Sequence, residues 1–423
     1  MRHLPIYRFF IAWMQCKHFL KSRQQFPKEQ QMRININENF KKLSENYLFS
    51  EISARVERFR AERGDLEVIS LGIGDVSLPL SPTVAREMAR ACEELGTVVG
   101  FHGYGDTQGE VALREAIARY YTLKGVRLDL AEIFISDGAK SDLGNLNDLL
   151  GDNETLIFDP VYPVYLDASI ISGRRVRFLP LGNGKTLGFP PDDLPNLPFV
   201  IYLCSPNNPT GAIFSREELQ EWVNFARKSG SLIIFDAAYE SYVTEVGIPR
   251  SIFEMDGARE CAIEVCSFSK MAGFTGVRCG FSVIPFENPL HKMWKRRQAT
   301  KFNGASYVSQ RGAIASLSPQ GLDECRKNIA YYMENAHALA HFSEQMGIPF
   351  CGGINAPYLW LKCPFGIGSW ELFELLLERS GVVCTPGIGF GEGGDKHIRL
   401  SAFASREDTL KAIGRMRRVF DKL

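Results

Sequence analysis

The sequence is poor in one-sided charge. Its 423 residues carry 49 Lys and Arg against 49 Asp and Glu, a formal net charge of zero. Phosphodiester binding shows as a basic excess or stripe, so a nucleic-acid partner is not expected. No window holds the ~20 consecutive apolar residues of a membrane helix, so no membrane partner is expected either. The ten cysteines contain no CxxC pair, which removes the common zinc and redox spacings. Cys204 in VIYLCS and Cys266 in AIEVCS lie in apolar runs. They read as reduced, buried thiols of a cytoplasmic protein. There is no GxSxG elbow, no Walker A lysine loop and no internal repeat. The glycines of 387–394 do not spell GxGxxG and precede no clear helix. His337 and His341 share a helix face in HALAH but lack the HExxH glutamate and a third ligand, so no metal is expected.

What is present is an ordinary globular composition, 45% hydrophobic with 38 Gly and 21 Pro, which excludes a disordered or collagen-like chain. Its neutrality is uneven. Residues 1–31 hold Arg2, Arg8, Lys17, Lys21, Arg23 and Lys28 against the single acid Glu29. The remainder is therefore acidic by five charges. We read 1–31 as an N-terminal extension, disordered or untranslated with Met32 as the start, and set it apart from the fold.

From there the chain alternates. Helical patterns run over Ser50–Glu62, Thr83–Leu95, Gly109–Lys124 and Ser215–Lys228. Short apolar runs occur at 133–136, 155–159, 175–181, 199–205, 231–236, 262–269 and 279–284. They are β-branched and continuous rather than alternating, as strands covered on both faces are. This predicts an α/β fold with a large, doubly wound, mainly parallel sheet. Pro285–Ala315 reads as a helical stretch and Leu322–Gln345 as a long helix. Strands at 358–362 and 397–403 and a last helix, Arg406–Phe420, suggest a smaller α+β domain. The expected division is an arm and part of the small domain at 32–80, a large domain at 81–315 and a small domain at 316–423.

Chemistry gathers at the ends of the apolar runs. In Ser267-Phe-Ser269-Lys270 a lysine follows a strand, and Arg278 stands eight residues on. A lysine drawn out of water there becomes a nucleophile toward an aldehyde. Two hydroxyls and an arginine on one loop make a receptor for a phosphate dianion. Asp236 ends another strand, with Tyr239 three residues later. Such a pair suits a protonated ring nitrogen and a phenolic oxygen. Asn208 lies in the rigid loop Ser205-Pro-Asn-Asn-Pro-Thr-Gly211, where it can donate to an oxyanion. Asp137-Gly-Ala139-Lys140 opens a helix, whose backbone N–H groups attract anions. Each stretch alone is commonly a turn, a cap or a surface lysine.

Together these motifs resemble the fold-type I pyridoxal 5′-phosphate enzymes, in particular the class I aminotransferases, over residues 45–405. The resemblance implies a cofactor bonded to Lys270, with Asp236 on its ring nitrogen. It places Tyr239 and Asn208 on the ring hydroxyl oxygen and Tyr162 over the ring face. It places Ala139, Lys140, Ser267, Ser269 and Arg278 around the phosphate, and Arg399 on the substrate α-carboxylate. Lys140, Tyr162 and Asn208 also fall on substrate-binding positions. The stretches at 45–52, 71–76, 103–105, 138–142 and 302–306 resemble the LL-diaminopimelate aminotransferase family. That likeness implies transamination between LL-2,6-diaminopimelate and 2-oxoglutarate. It also implies substrate contacts from Tyr47 and Gly74, and from Tyr104 and Asn303 reaching across a homodimer with shared active sites. One departure stands at Thr107, where that family often has Glu to meet the distal ammonium. Rival readings are an aspartate- or aromatic-type aminotransferase, a pyridoxal phosphate lyase, and a non-catalytic regulator. The regulator would need a DNA-binding module for which 1–31 is too short.

Overall fold

Seven of the apolar runs assemble into one sheet. The computed structural model describes residues 34–44, 48–64, 66–72, 74–181 and 186–422, so the extension 1–31 lies outside the described residues. The strands are β1 (Ile133–Ser136), β2 (Glu154–Asp159), β3 (Val176–Pro180), β4 (Phe199–Cys204), β5 (Leu232–Asp236), β6 (Ala262–Ser267) and β7 (Gly280–Val283). Their spatial order is β1-β7-β6-β5-β4-β2-β3. From β6 to β3 every neighbouring pair is parallel. β7 alone runs antiparallel to its neighbours, β1 and β6.

The absence of alternation in these runs has a direct cause. All six residues of β4 are buried. Phe199, Ile201 and Leu203 join one apolar cluster, while Val200, Tyr202 and Cys204 join another. β5 repeats this, with Ile233 and Phe235 on one side and Ile234 on the other. A strand with helices on both faces needs an apolar side chain at every position. Fully burying each one contributes about 1.5–3 kcal/mol.

Helices α1 (Leu48–Glu62), α2 (Pro82–Leu95), α3 (Val111–Thr122), α4 (Ala139–Asn145) and α6 (Arg216–Ser229) begin within two residues of the expected starts, and α5 (Pro163–Ile171) is a helix the sequence reading did not name. Ser81 caps α2 ahead of Pro82. Ser215 and Glu218 form a reciprocal capping box on α6, which ends at left-handed Gly230. One expectation is corrected. Pro285–Ala315 is not continuous but forms α7 (His291–Lys301) and α8 (Tyr307–Ser316). Between them Gly304 sits at φ +90°, a conformation a helix interior cannot hold. A short strand, Ile69–Ser70, pairs in parallel with Val382–Val383.

A second, antiparallel sheet contains β8 (Phe350–Gly352), β9 (Tyr358–Lys362), β10 (Thr385–Pro386) and β11 (His397–Ser401), in the order β10-β11-β9-β8. Its apolar cluster takes in Leu48, Ile52, Val56 and Phe59, one face of α1. Among the described residues no helix is long and apolar enough to cross a membrane. Seven of the nine described cysteines are buried.

One buried ionic cluster braces the turn after β5. Glu240 meets Lys124 at 3.1 Å and Arg250 at 2.8 Å, and accepts from the Tyr120 hydroxyl at 2.7 Å. Burial alone would raise the Glu240 carboxyl pKa, but Lys124 and Arg250 overcome this and hold it below the usual range. A depressed carboxyl pKa stabilises the fold at neutral pH, and that stabilisation fades as pH falls through the folded pKa. Glu240→Gln would leave the buried Lys124 amine and the half-buried Arg250 guanidinium short of a counter-charge and should cost roughly 3–5 kcal/mol. Urea unfolding at pH 7 checks this, and the gap from wild type should narrow below pH ~4.

Candidate active site

The carboxyl ends of the parallel strands meet at a cavity of about 400 Å³, the usual ligand position in an open α/β sheet. Every strand of the large sheet except β3 carries or adjoins a group that lines it. β1 leads into Ala139 and Lys140, β2 into Tyr162, and β4 into Asn208. β5 ends in Asp236 and leads to Tyr239, while β6 leads to Ser267, Ser269 and Lys270. Arg278 enters just before β7, Arg399 from β11, and Gly74 from the segment after Ile69–Ser70. These twelve expected residues all line the one cavity. Tyr104 and Asn303 are exposed and do not line it. Tyr47 lies outside the described residues.

One end of the cavity is shaped for an anion. The start of α4 points its first N–H groups there. The Ser267 hydroxyl accepts from Ser269 N–H at 3.1 Å, fixing the turn that carries Lys270. Arg278 Nη1 donates to Ser269 Oγ at 3.3 Å and to the Thr275 carbonyl at 3.4 Å. Arg278 itself sits at φ +64°, an uncommon conformation for a side-chain-bearing residue. Gly138, at φ +137°, lets the guanidinium close in, because a Cβ there would lie 2.4 Å from Nη2.

Lys270 and Asp236 ride on adjacent strands, β6 and β5. Removal from water, reinforced by Arg399 and Arg278 against the opposing pull of Asp75, lowers the Lys270 amine to about 8. The amine donates to the Gly74 carbonyl. Asp236 is fully buried. Burial pushes its carboxyl pKa up, and hydrogen bonds from Tyr165 and Ala238 pull it back. Tyr239 is hydrogen-bonded hydroxyl to hydroxyl with Tyr358 at 2.7 Å.

Arg399 closes the other end. It is 1% exposed, yet no carboxylate pairs with it among the described residues. It donates to Asn208 Oδ1 at 2.6 Å, to the Gly72 carbonyl at 2.7 Å and to Thr385 Oγ1 at 3.4 Å. Its Nε has no partner. Three of its five donors are engaged and two remain. A buried guanidinium with spare donors is a carboxylate receptor.

Sequence reasoning missed Phe49, Asp75, Tyr165, Cys204, Thr275 and Tyr358 in the lining. Tyr165 carried a signal, since it stands one helical turn beyond Tyr162 in Asp159-Pro-Val-Tyr-Pro-Val-Tyr165. Tyr358 carried none, being the first residue of an ordinary apolar strand. Neither His337 nor His341 enters the cavity. His341 is exposed and shares a hydrogen bond with Gln345. No group of three or more His, Cys, Asp or Glu among the described residues could hold a metal ion.

A strand-end lysine, a buried aspartate beside it and an unpaired buried arginine define amino-group transfer chemistry. The chain belongs to the class I and II aminotransferases, whose pattern it matches over residues 67–415. It is 45% identical to the LL-diaminopimelate aminotransferase of Lawsonia intracellularis (strain PHE/MN1-00), across 90% of this chain and 98% of that protein. The structure of L,L-diaminopimelate aminotransferase from Chlamydomonas reinhardtii superposes with a TM-score of 0.87 at 42% identity, covering 92% of this chain and 99% of that one. An aromatic aminotransferase from Pyrococcus horikoshii OT3 matches at 26% identity and a TM-score of 0.78, over 88% of this chain and 99% of that one.

The lowered Lys270 pKa has a measurable signature. Only the neutral amine attacks an aldehyde. In cofactor-free protein, reductive labelling of Lys270 should rise about tenfold per pH unit below 8 and level off above it. Surface lysines should keep rising toward pH ~10. Peptide mass spectrometry across pH 6–10 reads both; a Lys270 profile that tracks the surface lysines would refute the shift.

Proposed function

We propose that this chain transfers an amino group between LL-2,6-diaminopimelate and 2-oxoglutarate, giving tetrahydrodipicolinate and glutamate, with pyridoxal 5′-phosphate as cofactor. In the reverse direction the reaction serves lysine and peptidoglycan precursor synthesis. The observation that carries this reading is Lys270 beside buried Asp236, facing the unpaired buried guanidinium of Arg399 across one cavity.

The residues present fit the cofactor. The Arg278 guanidinium seated against Gly138, the spare donors of Arg399 and the lowered Lys270 amine each match one part of its chemistry. Ala139 and Lys140 at the helix start, with Ser267, Ser269 and Arg278, would hold the phosphate. Asp236 would hold the ring nitrogen, Tyr239 and Asn208 the ring hydroxyl oxygen, and Tyr162 the ring face. When bound, the cofactor supplies an aldehyde for amine exchange and a protonated ring that draws electron density from the substrate Cα.

The chain's own groups do the rest. Arg399 binds the α-carboxylate and so fixes which bond at Cα stands toward Lys270. The Lys270 amine, once displaced, would take the proton from Cα and deliver it to the former aldehyde carbon of the cofactor, working near its lowered pKa. The Gly74 carbonyl, which holds that amine in the resting site, is a ready acceptor for its charged form. Two donors to Asp236 favour its ionised form against the upward pull of burial, and a protonated ring nitrogen beside it would favour that form further.

The partner surface supports a homodimer. Val98 and Val99 are 99% exposed and Tyr104 is 89% exposed, with Phe101 between them. Four apolar or aromatic side chains in one exposed segment suit burial against a second copy. Tyr104 and Asn303 would then reach the partner's cavity. Distal-group recognition differs from the usual pattern, since Thr107 brings no charge. The neighbouring Asp106 is already engaged by Gln108 N–H at 2.9 Å and Arg114 at 3.5 Å.

A coupled assay with LL-diaminopimelate, meso-diaminopimelate, aspartate and tyrosine tests the substrate. We expect kcat/KM for LL-diaminopimelate to exceed that for aspartate and tyrosine by at least ~100-fold. A preference for aspartate or tyrosine would overturn the assignment in favour of those aminotransferase types. Lys270→Ala should abolish turnover. Mixing inactive Lys270→Ala with Tyr104→Ala subunits should restore up to about a quarter of wild-type activity if sites are shared. No recovery would place Tyr104 outside the partner's site.

A further inference from the structure

The Asp236 carboxylate is held from both sides, and only one of its holders is backbone. Ala238 N–H donates to Oδ1 at 3.0 Å. The hydroxyl of Tyr165 donates to Oδ2 at 2.6 Å. Tyr165 lies in the first turn of α5 and is itself buried. Its ring stacks on Tyr202 of β4, with centroids 4.9 Å apart and planes 13° from parallel. It meets Tyr162 edge-on at 5.8 Å and 84°. One side chain therefore touches both the carboxylate and the aromatic that flank the cofactor space.

We propose that Tyr165 is a positioning residue, whose hydroxyl fixes the ionised Asp236 carboxylate toward the cofactor nitrogen while its ring fixes the plane of Tyr162. The inference rests on the cofactor reading above. A carboxylate has about four acceptor sites. Tyr165 and Ala238 occupy one on each oxygen and leave the others toward the cavity. An O–H···O contact of 2.6 Å is in the short, charge-assisted class, which favours the ionised acid. An ionised acid there is what keeps a ring nitrogen protonated. Tyr165 lines the cavity wall behind Asp236, so it acts through that residue.

Tyr165→Phe keeps the ring and both aromatic contacts and removes only the donor. Tyr202→Phe removes a hydroxyl one ring away that is not bonded to Asp236, and so controls for packing. Wild type and both variants are loaded with ¹⁵N-labelled pyridoxal phosphate. In Tyr165→Phe the ring ¹⁵N resonance should move toward the unprotonated position, and the cofactor Kd should rise about 10-fold or more. Its kcat should fall ~10–100-fold with KM nearly unchanged, since the loss is to charge stabilisation and not to substrate grip. Tyr202→Phe should match wild type in all three. An unchanged ¹⁵N resonance and cofactor Kd in Tyr165→Phe overturn the proposal. If that variant does not fold, site-specific fluorination of the Tyr165 ring strengthens the phenol as a donor while keeping its hydroxyl, and the same fluorination at Tyr202 controls for the change in ring stacking. Displacement of the ¹⁵N resonance then supports the proposal, and no displacement overturns it. Failure of the wild type to bind the cofactor overturns the cofactor reading as well. A normal wild type with a silent variant overturns this inference alone.

Discussion

Positive charge is gathered here in a place poor in water, and the rest of the site is arranged around tolerating it. Lys270, Arg278 and Arg399 line one cavity. An isolated cation loses several kcal/mol of hydration when enclosed, so each is met by dipoles. Arg399 has the Gly72 carbonyl, Asn208 and Thr385, and the rings of Tyr358 and Phe390 at 4.4 and 4.9 Å. Arg278 has Ser269 and the Thr275 carbonyl, and Lys270 has the Gly74 carbonyl. Dipoles hold a charge without cancelling it. The field that remains is available to a dianion at one end and a carboxylate at the other.

Asp236 is the counterweight. It is the buried acid of the cavity; burial raises its carboxyl pKa, and a phenol and a backbone N–H oppose that rise. The segment Leu71–Asp75 links the two cationic ends. Its Gly72 carbonyl accepts from Arg399 and its Gly74 carbonyl from Lys270. Ser401 N–H in turn donates to Leu71 at 2.6 Å. Two carbonyls only two residues apart in sequence, those of Gly72 and Gly74, thus meet Arg399 and Lys270.

Much of this was legible in the sequence, and the physics says which part. Strands covered on both faces read as unbroken apolar runs, so a polar residue at their ends, such as Asp236 or Ser267, stands out as facing a ligand. Arg399 is marked by its apolar neighbours Ile398 and Leu400, which are buried in the second core. Tyr358 was not legible, because its role depends on Tyr239, 119 residues earlier in the chain. Tyr165 was overlooked for a local reason. Two tyrosines three residues apart at a helix start look alike, and only the entry of α5 at Pro163 decides which one reaches Asp236. The split between α7 and α8 was missed because a run of helix-compatible residues hides a single left-handed glycine.

The reversed strand β7 has a mechanical consequence. Because it runs against its neighbours, its first residue lies at the edge where theirs end. The chain leaves that edge after Ser267 and returns to it at Gly280, within one loop. Lys270 and Arg278 both ride on this loop, so their separation is a matter of local backbone, as on a jig. Arg399 arrives instead on β11, from a different sheet with its own core. Any sliding of one sheet past the other would move Arg399 relative to the cavity while leaving Lys270 and Arg278 in register. A one-residue insertion between 270 and 278 would do the opposite.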